Sequence, residues 1–223
     1  MSSFAKFITL LIAVFVGLFA FGAFASSTRD TVQGASRPDT MVTTDNLPEN
    51  QATAVFAMGC FWCAEADFEE VEGVVDVVSG YTGGITVSPT YEEVTYDHTG
   101  HYEAVMVTYD ATKVSYDDLL GVFWKNVDPF DARGQFCDKG TSYRAAIFPK
   151  TEAERDAADA SKAKWEKELG EEIVTAIESR AAFYAAERYH QDYYKKNPVR
   201  YNIYRGRCGR DRRLETVWGR LAQ

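Results

Sequence analysis

The sequence lacks most of what would announce a metal centre or a nucleic-acid surface. It has three histidines in 223 residues, and 24 basic against 33 acidic side chains leave a formal net charge of −9. An acidic chain has no general electrostatic means of gathering phosphates, so nucleic acid is excluded as a partner. His98 and His101 stand three apart in a glycine-containing turn and His190 is remote from both. No ligand spacing there points to a metal, and no cofactor is expected. Cysteine is scarce as well: four residues, at 60, 63, 137 and 208, with only one close pair. The missing second pair argues against a four-thiolate zinc site, which usually draws on two short-spaced pairs. It also argues against a stapled scaffold, since a chain of this size builds its own core. Internal repeats and low-complexity blocks are absent from the region after residue 50.

The one long apolar run is at the start. MSSFAKF carries a positive charge, ITLLIAVFVGLFAFGAFA is apolar, and Ala23-Phe24-Ala25 has the small-x-small pattern of a cleavage site. Residues 1–25 therefore read as a secretory signal peptide that places the protein in the periplasm. An uncleaved run would instead be a membrane anchor, the one route to a membrane association. Residues 26–50 have no apolar periodicity and read as a flexible arm, leaving 51–223 as the folded domain with a basic C-terminal tail.

Within that domain, TAVFAMG and VVDVVSGY read as strands flanking a helix over ADFEEVEG, and HYEAVMVTYD as a third strand. SYDDLLGVFWKNV has the helical period, with Ser115 and Asp118 as a capping box. TEAERDAADASKAKWEKELG is a helix capped by Thr151 and Glu154 and ended by Gly170. YRAAIF and EEIVTAIES read as strands, FYAAERYHQDYYKKN as a helix stopped by Pro198, and the tail as a mobile segment with a last helix from Asp211. The mixture predicts an α/β or α+β domain.

The chemistry centres on GCFWC. Cys60 stands where a strand gives way to a helix, and free N–H groups there favour a thiolate with a lowered pKa. Phe61 and Trp62 are suited to walling a pocket for a methyl or thioether group. Glu103, early in an otherwise apolar strand, would carry a proton at neutral pH if buried. CxxC at a helix start also suits a dithiol-disulfide exchanger, the alternative reading for Cys60 and Cys63. A redox-sensing or metal-binding protein without turnover is a third.

Taken together, GCFWCAEADFEEVEGV, GYTGG, PTYEEV, TGHYEAV, FWKNVDP, DKGTSYRAAIF and NPVRYNIYRGRCG resemble the peptide methionine sulfoxide reductase A family, in that family's order, from about Ala54 to Gly209. The resemblance implies a two-layer sandwich with a split β-α-β, ferredoxin-like core. It implies thiol-dependent reduction of methionine-S-sulfoxide, free or in oxidised proteins, through a cysteine sulfenic acid and an intramolecular disulfide, with a thioredoxin-like protein supplying electrons. Residue by residue it implies Cys60 as nucleophile and Phe61 and Trp62 as the aromatics around the substrate methyl. Glu103 is then the acid, Tyr91 and Tyr143 the hydroxyls near the sulfoxide oxygen, and Asp138 a supporting carboxylate. Cys208 is the family-like resolving cysteine, with Cys63 and Cys137 as alternatives, since members often have glycine and asparagine at those two positions. The five tail arginines, Arg205, Arg207, Arg210, Arg212 and Arg213, read as a charged surface or as a docking patch for an acidic reductant.

Overall fold

The structure is a computed structural model that describes residues 40–96 and 99–219; the expected signal peptide and His98 lie outside the described residues. In chain order the elements are β1 (Gln51–Met58), α1 (Phe61–Glu69), β2 (Val74–Thr82), α2 (Tyr91–Tyr96), β3 (Tyr102–Asp110) and α3 (Tyr116–Lys125). A two-residue hairpin follows, β4 (Gly134–Gln135) and β5 (Asp138–Lys139), then a 3-10 turn at Thr141–Tyr143 and β6 (Ala145–Ile147). The chain closes with α4 (Glu152–Leu169), β7 (Ala176–Ile177), β8 (Phe183–Ala185), α5 (Tyr193–Lys196), α6 (Pro198–Cys208) and α7 (Arg210–Trp218).

One six-stranded sheet organises these pieces in the order β7-β6-β1-β3-β2-β8. β1 and β2, joined through α1, are separated by β3, which runs antiparallel to both, with Phe56 opposite Val105 and Tyr81 opposite Glu103. That is a split β-α-β unit in a mixed α/β fold. One sheet face, carrying Ala54, Phe56, Met58, Val105 and Val107, packs on Phe61, Phe68, Phe123 and Trp124 of the helices. The opposite face is covered too, by a smaller cluster of Val55, Ala57, Ala104, Met106, Phe148 and Phe183. Burial on both faces is why TAVFAM is continuously apolar rather than alternating.

Local signals hold where they were strongest. Ser115 and Asp118 exchange both bonds of a capping box, the Thr151 hydroxyl accepts from the Glu154 N–H at 3.2 Å, and Gly170 ends α4 at φ 69°. Several expectations change towards the C-terminus. EEIVTAIES contributes only the two residues of β7. The helix expected over FYAAERYHQDYYKKN is instead the edge strand β8, a run of turns and the four-residue α5. Edge pairing with β2 outweighs the helix propensity of Ala-Ala-Glu-Arg, because Phe183 and Tyr184 fit a half-buried pleated edge. Pro198 does not stop a helix but starts α6, where its missing N–H is no loss. The tail is therefore helical from Pro198 to Trp218 rather than a loose segment. Tyr91 opens the short helix α2. The described end of the expected arm, 40–50, lies on the sheet, where Val42 N–H donates to Phe183 O and Ala185 N–H to Thr40 O. Among the described residues no helix is long and apolar enough to cross a membrane.

Gly80 lets β2 approach β8. A Cβ there would sit 2.3 Å from Tyr184 O and 2.5 Å from the Phe183 ring. Gly80→Ala is expected to destabilise the fold by about 2 kcal/mol, the usual scale of core overpacking. The check is the urea midpoint, and an unchanged midpoint would place β8 farther from β2 than this register does.

Candidate active site

Gly59 makes the site possible. Its φ is +81°, and a Cβ there would fall 2.6 Å from Gln135 Cβ, so only glycine allows this turn out of β1. The turn leaves Cys60 as the last residue before α1 and points the Phe61 N–H at β3, where it donates to Glu103 Oε2 at 3.1 Å. Glu103 shares the helix-facing side of β3 with Val105 and Val107, hence its burial, 1% exposed. Tyr143 arrives from the 3-10 turn before β6 and Asp138 from β5. Tyr91 begins α2, and its N–H is held by Glu187 Oε1 at 2.8 Å, while Tyr81 Oη donates to Glu187 Oε2 at 2.9 Å.

These side chains enclose a hollow of about 90 Å³ lined by Cys60, Phe61, Trp62, Tyr91, Glu103, Asp138, Tyr143 and Tyr204. The indole of Trp62 is fixed from three sides. Its Nε1–H donates to His190 Nδ1 at 3.0 Å, Tyr193 stacks on it at 3.7 Å between ring centres, and Tyr204 meets it edge-on at 5.8 Å. Burial pulls the His190 pKa below the ordinary imidazole range, so the ring stays neutral and accepts that bond.

The electrostatics suit an acid beside a thiol. Burial pushes the Glu103 carboxyl up to about 8, against the pull of the Phe61 N–H, so it holds its proton at pH 7. Tyr143 shares the hollow with Glu103 and Tyr91, and burial raises both phenols, keeping them as donors. Cys60 departs from the sequence expectation. Burial raises its pKa well above the free-thiol range, with Cys63 and Glu103 adding to the shift and the Tyr204 hydroxyl opposing it. The helix start does not rescue a thiolate, because the nearest N–H, that of Phe61, is spent on Glu103. Its neighbour Cys63 is lowered, by the hydrogen bond from Cys60 and by Arg210 and Arg205.

Every substrate-facing residue inferred from the sequence thus lines one hollow. The remaining thiols divide into pairs. Cys63 is a buried free thiol packed with Ala66, Tyr193 and Tyr201. Cys137 and Cys208 form a disulfide, with Cys137 exposed. Cys137 and Cys208, which a four-thiolate zinc site would need as free thiolates, are bonded to each other. The expectation that Cys208 attacks Cys60 directly is also revised, since its sulfur is engaged with Cys137. Arginines of the tail are drawn inward: Arg205 and Arg210 pair with Asp67, Arg210 also reaches Met58 O and Asn126 O, and Arg213 pairs with Asp128. Those three anchor α6 and α7, which leaves little of a docking patch.

Tyr204, Glu187, His190 and Tyr193 were not picked out as site residues from the sequence. Tyr204 precedes Cys208 by one helical turn, and that spacing is a signal once the tail is taken as a helix.

Comparison with known proteins agrees with this geometry. Residues 52–222 match the family model described as peptide methionine sulfoxide reductase. The chain belongs to that family. It is 52% identical over 168 residues to the peptide methionine sulfoxide reductase MsrA 2 of Caulobacter vibrioides, covering 75% of this chain and 85% of that one. Against the MsrA of Bacillus subtilis it is 47% identical over 175 residues, 78% and 99% of the two chains. Among solved structures it is similar to the reduced form of Mxr1 from Saccharomyces cerevisiae, with TM-score 0.66, 30% identity and coverage of 72% and 91%. The methionine sulfoxide reductase A of Corynebacterium diphtheriae gives TM-score 0.61 at 33% identity, covering 68% of this chain and 77% of that chain. The protein is a thiol-dependent reductase of peptide methionine sulfoxide with the family's mixed α/β fold.

The buried acid has a stability signature. With a folded pKa of about 8 against an ordinary 4.5, the native reductase holds a proton that the unfolded chain has lost. Its stabilising contribution is complete below about pH 4.5 and is lost as pH rises through about 8. Glu103→Gln removes the titration. The variant is expected to gain stability relative to the parent between pH 6 and 9, read by urea unfolding at each pH; parallel curves would mean that the carboxyl is ionised when buried.

Proposed function

We propose that Cys60 is the nucleophile and Glu103 the general acid, with Tyr91 and Tyr143 as hydrogen-bond donors to the sulfoxide oxygen. The observation that carries this reading is a buried carboxyl and a thiol sharing one small aromatic-walled hollow. A sulfoxide sulfur is electrophilic, but its oxygen leaves poorly until protonated. Cys60 attacks sulfur while Glu103 delivers its proton to oxygen, giving methionine and a Cys60 sulfenic acid. Phe61 and Trp62 receive the methyl group, and Asp138 supports the site. The S epimer is the expected substrate, free or within oxidised proteins.

Cys63 then condenses with the sulfenic acid, losing water and forming a Cys60–Cys63 disulfide. Its place as a buried free thiol next to Cys60 favours it over Cys137 and Cys208, which pair with each other. The Cys137–Cys208 pair, when reduced, passes two electrons to that disulfide by thiol exchange and is left as the exposed bridge. A thioredoxin-like protein is the donor suited to reducing it. The rival exchanger of protein disulfides is disfavoured, because Cys60 and Cys63 are both buried and beyond reach of a protein disulfide. Residues 1–25 would export the enzyme to the periplasm; the support for this is the sequence alone.

Two experiments test the reading. Glu103→Gln is expected to slow single-turnover methionine formation by about 10²–10⁴-fold, the range for a placed general acid, with substrate affinity retained. An undiminished rate would remove Glu103 from the chemistry. Enzyme reduced to four thiols and given excess sulfoxide without reductant is expected to form two methionines per chain, falling to one in Cys137→Ser/Cys208→Ser. One methionine from the parent would make the bridge purely structural.

A further inference from the structure

Because burial holds Cys60 as a thiol, its attack requires a base, and Glu103, already protonated, is unable to serve. Tyr204 is the group in position. It reaches the hollow from α6, its ring lies edge-on to Trp62, and its hydroxyl shares the hollow with the Cys60 thiol and donates to an oxygen of Asp138. Asp138 is half-buried at the rim, with Lys139 and Arg210 as its charged neighbours. The bridge pins both partners: Cys208 follows Tyr204 by one turn of α6, and Cys137 directly precedes Asp138. Cys208 Sγ itself lies 4.0 Å from Asp138 Oδ2.

Building on the assignment of Cys60 as nucleophile, we propose that Tyr204 is a further catalytic residue, relaying the Cys60 proton to Asp138 as the sulfur attacks. The Cys60 S–H bond breaks and its proton goes to Tyr204 Oη. The Tyr204 O–H bond breaks and that proton goes to the Asp138 carboxylate. The electron pair left on sulfur attacks the sulfoxide sulfur, Glu103 protonates the oxygen, the methionine S–O bond breaks as the hydroxyl passes to the Cys60 sulfur, and Tyr204 ends unchanged. Asp138 then carries the proton that Glu103 has lost, and its return restores the resting state. Cys63 is the rival acceptor, since it neighbours Cys60 one helical turn on, but it is sealed in a cluster with Ala66, Tyr193 and Tyr201.

The experiment measures single-turnover methionine formation and sulfoxide affinity, with the Cys137–Cys208 bridge intact, in Tyr204→Phe, Asp138→Asn and their double variant. Phenylalanine keeps the ring against Trp62 and removes only the hydroxyl. Tyr204→Phe is expected to lose at least tenfold in rate with affinity unchanged. Asp138→Asn should lose a similar factor and the double variant no more than either, as for two links of one path. A Tyr204→Phe rate within twofold of the parent, or a joint fall of rate and affinity, would overturn the relay. Glu103→Gln run alongside separates the two levels: a slow Glu103→Gln with a fast Tyr204→Phe leaves the acid assignment standing and removes only this one.

Discussion

The hydrogen bond from the Phe61 N–H to Glu103 joins the two halves of the site. It ties the first turn of α1 to the middle strand of the sheet, and it places a carboxyl where water does not reach. The same burial that raises the carboxyl pKa to about 8 also keeps Cys60 protonated, so the acid and the nucleophile are both neutral at rest. A neutral acid and thiol suit a neutral, dipolar sulfoxide. Charge then develops only as the proton and the sulfur move, when preorganised donors act most strongly.

The sheet order explains why these groups meet. With β3 inserted between β1 and β2, residue 103 lies beside the end of β1 from which Cys60 emerges. β6 pairs on the other side of β1 and brings the turn carrying Tyr143 to the same end. The C-terminal helices close the remaining side. They are held by Asp67, on α1, which receives both Arg205 and Arg210, so the element that begins at the nucleophile also anchors the lid that covers it.

Much of this was legible in the sequence because the relevant signals are local. Ser115 with Asp118, Gly170 and the apolar run at 53–58 each encode their element within a few residues. The hollow was legible through motif resemblance, and Glu103 stood out as a charge in an apolar strand. What was not legible depends on distant partners. Phe183 and Tyr184 become a strand only because Gly80 leaves room for them, and the basic tail becomes two helices because Asp67 and Asp128 neutralise its arginines from within. The Cys60 thiol was misjudged for the same reason: the N–H expected to stabilise its thiolate belongs to Glu103, 42 residues away.

The central claim is that residue 103 is a carboxylic acid, not a carboxylate, in the resting enzyme at neutral pH. Difference infrared spectroscopy between the parent and Glu103→Gln measures this directly. The account predicts a protonated-carboxyl stretch at pH 7 that titrates away near pH 8 and is missing from the variant. A spectrum at pH 7 showing only the carboxylate bands at that position would contradict it.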